Sequence, residues 1–153
     1  MHKNFPRPVF DVGTGSGSDF GDLPEWDLND LYPGTDSAEF SRDMAWLETA
    51  CADFATAYEG RLARLDAAAL RTCVQDYEAI DVIAGRLMSF AGLRYYQNTM
   101  DSERAKFMAD TQDRMTTFTT PLVFFSLEFN RLEEAHLSRL LADDAGLARY
   151  RPV

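Results

Sequence analysis

Two histidines, His2 and His136, and two cysteines, Cys51 and Cys73, are the chain's whole supply of imidazole and thiol. A hydrolytic zinc helix needs two His one turn apart with a Glu between them, and no H-E-x-x-H occurs. A Ser-His-Asp or Cys-His site would have to draw its base from the same two residues. His2 lies at the terminus, and His136 stands amid Glu133, Glu134 and Arg139, which reads as a surface setting. Glu133-Glu134-Ala135-His136 has the Glu-x-x-His spacing of a di-iron helix. That chemistry needs a second copy and two further Glu on facing helices, and only one copy is present. The simpler reading is a solvated helix start with Glu near its positive end. The cysteines lack C-x-x-C spacing and fall in apolar stripes, where a free thiol is a small hydrophobe.

Other chemistry-bearing strings also resolve to plainer uses. Gly13-Thr14-Gly15-Ser16-Gly17-Ser18 has Ser where a dinucleotide fingerprint needs its third Gly, and no G-K-[ST] follows. It reads as flexible leader. Asp76, Glu78 and Asp81 sit off the apolar face of a predicted helix, where solvated charge belongs. Tyr95 and Tyr96 point about 100° apart on a helix. Core packing is favoured for them, with a cleft or partner the other use.

The elements that must carry these residues are helical. Five of nine Gly and four of six Pro precede residue 35, so the opening stretch is irregular. From Asp36, with Glu39 at capping-box spacing, Phe40, Met44, Leu47, Cys51, Phe54 and Tyr58 recur in steps of four and three. Gly60 marks a break. Asp66 is the expected cap of a second helix running to about Gln97, roughly 45 Å long. Gly85 and Gly92 on it suggest close approach by a neighbour.

A third stripe, Phe107, Thr111, Met115, Phe118, Leu122, Phe125 and Phe129, keeps phase across Pro121, which predicts a kink and not a reset. A last helix spans Glu133 to Leu141, with Asp143 to Gly146 as its stop. The expected architecture is all-α: an elongated antiparallel bundle of three to four long helices. Residues 1–22 form a flexible leader and 23–153 the helical domain. Leu23 to Pro33 is expected to pack on the helices through Trp26, Leu28, Leu31 and Tyr32.

With 153 residues, the chain is sized for one domain that buries about 69% of its unfolded surface without metal or disulfide. The formal charge of -10 argues against a nucleic-acid partner. No run reaches membrane-span length, and the N-terminus lacks a secretion signal, so a cytoplasmic protein is expected.

Several strings, in order, resemble the N-terminal part of oligoendopeptidase F, a zinc metallopeptidase family related to thimet oligopeptidase. They are Leu23-Pro24-Glu25-Trp26-Asp27-Leu28, Asp30-Leu31-Tyr32-Pro33-Gly34, Ala91 to Thr99 (AGLRYYQNT) and Phe124 to Asn130 (FFSLEFN). The ending Leu147 to Val153 (LARYRPV) is similar to the family's entry into its next helix. The resemblance covers about residue 20 to the end. It implies a fragment of an enzyme that keeps its H-E-x-x-H helix and zinc in a missing C-terminal half. No catalytic residue, cofactor or metal ligand of the family maps onto this segment. It would form part of a channel wall that admits short peptides and would pack on the missing catalytic domain, with Tyr95, Tyr96 and Phe124 the channel- or partner-facing residues. Because Leu122 to Phe129 is apolar nearly all round, a homodimer of the isolated chain through this segment is expected. A stand-alone interaction module offering an amphipathic groove to a partner helix is the alternative.

Overall fold

The computed structural model describes residues 25–151. The expected leader, Leu23, Pro24, Pro152 and Val153 lie outside that range. Every regular element among the described residues is helical. In chain order they are α1 (Ala38–Tyr58), α2 (Ala67–Gln97), α3 (Ser102–Thr119), α4 (Val123–Phe129), α5 (Glu134–Asp143) and α6 (Ala145–Ala148). Two 3-10 turns, Leu62–Arg64 and Thr120–Leu122, join α1 to α2 and α3 to α4. Three helices are long, as expected, and the three that follow are short.

Each long helix starts on a side-chain oxygen that takes an orphan amide. Ser37 accepts from the Phe40 amide, Asp66 from Ala69, and Asp101 from Glu103 and Arg104. The first cap is therefore Ser37 and not Asp36, one residue later than the spacing with Glu39 suggested. Gly60 takes φ +73°, the left-handed region that ends α1 without a Cβ penalty. The Glu128 carboxylate then accepts from the Gly60 amide at 2.7 Å and the Leu62 amide at 3.4 Å, tying α4 to the turn.

Ring contacts fix the directions. Phe40 meets Phe90, and Phe54 meets Tyr77, so α1 and α2 run antiparallel. Phe90 meets Phe107 and Tyr77 stacks on Phe125 at 4.4 Å, so α2 and the α3–α4 rod are antiparallel too. The core is thus a three-helix stack with an aromatic cluster at each end. Between them lie Met44, Leu47, Cys51 and Leu87, all essentially sealed from water. The stripe across Pro121 keeps its phase. Thr111, Met115 and Leu122 are buried, and Phe107, Phe118, Phe125 and Phe129 pack against the same core. The Pro is absorbed by a tighter 3-10 turn at Thr120–Leu122, where a missing N–H costs least.

A second, smaller cluster of Leu70, Leu140 and Leu147 holds α5 and α6 against the first half of α2. Asp143 does end α5, but Asp144 begins another helix. Its carboxylate accepts from the Leu147 amide and pairs with Arg71 at 3.0 Å. The role expected of two glycines is not met. A Cβ on Gly85 would meet nothing within 4 Å, and one on Gly92 would meet only Tyr96 at 3.9 Å. Neither admits a neighbouring helix.

Candidate functional site

The irregular segment before α1 is held by one buried charge. Asp43 is 7% exposed and lies on the core side of α1 between Phe40 and Leu47. Its Oδ2 accepts from the Tyr32 hydroxyl at 2.9 Å and faces Arg86 Nη1 at 3.5 Å, while Arg42 binds Oδ1 at 3.1 Å. Arg86 also lies 4.5 Å over the Tyr32 ring and donates to the Leu31 carbonyl. Burial first, and then the bond to Asp43, drive the Tyr32 hydroxyl well above its ordinary titration range. The arrangement is a clamp for Leu31 and Tyr32. With every oxygen of Asp43 engaged, it leaves no lone pair aimed at a substrate.

Trp26, expected to pack on the helices, is 58% exposed, and its carbonyl accepts from the Gln97 side chain. Tyr32 takes the buried place, with Leu28 and Leu31 packed at its side.

The thiols are sealed. Burial pushes Cys73 up to about 12, helped by the charges of Asp76 and Glu128, and burial raises Cys51 as well. Neither is a nucleophile near neutral pH.

His136 is more enclosed than its charged neighbours suggest. The residue is half-buried and its Nε2 is enclosed without a partner. Glu133, its Glu-x-x-His companion, is the exposed cap position of α5. No three His, Cys, Asp or Glu side chains converge anywhere among the described residues. They therefore present no donor set that fits zinc.

Of the expected partner-facing residues, Tyr96 is 65% exposed and Tyr95 half-buried, their rings 5.3 Å apart. Phe124 is buried, its ring 5.9 Å from that of Phe54. It faces the core. The α4 positions that face out are Val123 and Leu127. They form a smaller patch than the segment's composition suggested, because α1 and α2 cover its Phe124 and Phe125 side.

A larger apolar opening lies on the α1–α2 seam. Two adjoining hollows of about 280 and 590 Å³ share Trp46 and Ala79. Ala50, Ala57, Ile80, Val82 and Ile83 continue the floor, and all the lining comes from α1 and α2. Asp53, Asp76 and Glu78 stand along it, with Arg42 at one end. Asp43 and this seam both escaped sequence reasoning. The available signals were a carboxylate in phase with Phe40 and Leu47, and a second stripe, Trp46, Ala50, Asp53, Ala57, stepping four, three, four.

No helix among the described residues is long and apolar enough to cross a membrane. Comparison with protein-family models, curated proteins and solved structures finds no match.

Proposed function

We propose that the chain is the helical N-terminal segment of a cytoplasmic oligoendopeptidase F-like zinc peptidase, a wall of the substrate channel and not its catalytic unit. The order and spacing of the resembling strings carry this reading, together with what those strings do here. Each lies at a joint. Leu31 and Tyr32 are held by Arg86 and Asp43. Gln97 ties the end of α2 to Trp26 and accepts from Arg104 of α3. Glu128 caps the turn after α1. A likeness concentrated at joints is what retention of a scaffold produces, since these positions set how helices meet.

In this reading zinc and its general base would belong to the part of the enzyme beyond Val153, and the metal there would supply Lewis-acid activation for peptide hydrolysis. Tyr96, the exposed member of its pair, is the side chain offered to the channel or the catalytic domain. The test is the coding frame downstream of Val153. An H-E-x-x-H within a few hundred codons supports the proposal, and a stop codon at that point overturns it.

A further inference from the structure

Among the described residues nothing covers the α1–α2 seam, and α3 to α6 pack elsewhere. Its lining runs from Arg42 to Tyr58 on α1, sixteen steps or about 24 Å, enough for four turns of a docked helix. Trp46 is 43% exposed and Val82 64%, so two apolar side chains of the larger hollow stand open to water. A seam between antiparallel helices takes a third helix by interleaving ridges, as this bundle already does with α3 on another side.

Charge selects the occupant. Asp53 carries no ion pair among the described residues. Asp76 only accepts from Tyr58, and Glu78 already holds the Arg149 guanidinium at 2.9 Å. The one cation of the lining, Arg42, is spent on Asp43. A second copy is disfavoured, because facing seams would double the carboxylate row between two chains of charge -10. We propose that this groove docks a cationic amphipathic helix of a partner, an apolar side chain seated between Trp46 and Val82 and Lys or Arg along the carboxylates. The assignment rests on the groove alone and stands whether or not the peptidase reading does.

The test uses the full chain carrying Trp26→Phe, so that Trp46 is its single indole. The probe is a synthetic helix of about sixteen residues with a Leu stripe flanked by Lys and Arg. A second peptide carries Glu at the flanks instead. The basic peptide is expected to shift Trp46 emission to the blue and to bind at least about tenfold tighter than the acidic one, weakening with salt. Val82→Gln is expected to weaken it about tenfold, and Val123→Gln, similarly exposed but on α4, to leave it unchanged. Circular dichroism confirms that both variants keep their helices. Absence of binding, equal binding of the two peptides, or equal effects of the two substitutions overturns the proposal. So does a sedimenting dimer that Val82→Gln dissociates, which would assign the groove to a second copy.

Discussion

Asp43 shows how much a single carboxylate decides in this protein. It sits on the buried side of α1 because three donors, from Tyr32, Arg42 and Arg86, replace the water it loses. Tyr32→Phe removes one bond and is expected to cost about 1 kcal/mol in urea denaturation. Asp43→Ala leaves the Tyr32 hydroxyl and Arg86 without their acceptor and is expected to cost about 2 to 3 kcal/mol, less than a fully buried pair because both arginines reach water. The buried thiol gives a pH prediction. Cys73 titrates near 9 when unfolded and is pushed up to about 12 by burial, so folding favours its neutral form. Stability from this group is complete below pH 9 and falls as pH rises toward 12. Cys73→Ala should flatten the part of the decline that begins below pH 10, before tyrosines contribute. An unchanged profile in that variant would count against the burial assigned to the thiol. Sequence alone did not reveal Asp43, because a charge in phase with apolar neighbours is normally a boundary residue, and two of its three donors come from residues 11 and 43 positions away.

The long helices were largely legible, since each is written twice, once as an apolar stripe and once as a cap. Asp66 caps where expected, and the second stripe runs to Gln97 as read. The misreadings have a common cause. Asp36, Gly85 and Gly92 are suggested by residue type and spacing, whereas their roles depend on which amide or neighbour is within reach. Ser37 and Asp36 are equally good caps by type, and only the path of the chain from Pro33 decides between them. Ser37→Ala is accordingly expected to cost about 1 kcal/mol and Asp36→Ala almost nothing in thermal unfolding. Reversed values would move the helix start. The turn after α1 adds a coupled pair. Gly60→Ala strains a left-handed backbone by about 1 kcal/mol, and Glu128→Ala frees two amides at the same turn, so the double variant should lose less than the two costs added.

Among the described residues the chain is an all-α bundle with two buried clusters and an open α1–α2 seam. That accounts for the change in where association is expected. Phe124, named from composition as an outward residue, is core, and the open apolar surface lies on the first two helices. A partner seated there would bury Trp46 and Val82 without rearranging the bundle. The same view separates scaffold from chemistry in the peptidase proposal. Strings that resemble the family hold joints, and the described residues bring no zinc donors together. The isolated 153-residue chain is therefore expected neither to hold stoichiometric zinc nor to hydrolyse peptides. The most direct measurement is made on the protein as its cell produces it, captured with an antibody to this segment. The account predicts a polypeptide several times heavier than 17.3 kDa that cleaves a quenched fluorescent oligopeptide and loses that activity to a zinc chelator. A captured 17.3 kDa protein with no chelator-sensitive cleavage would contradict it.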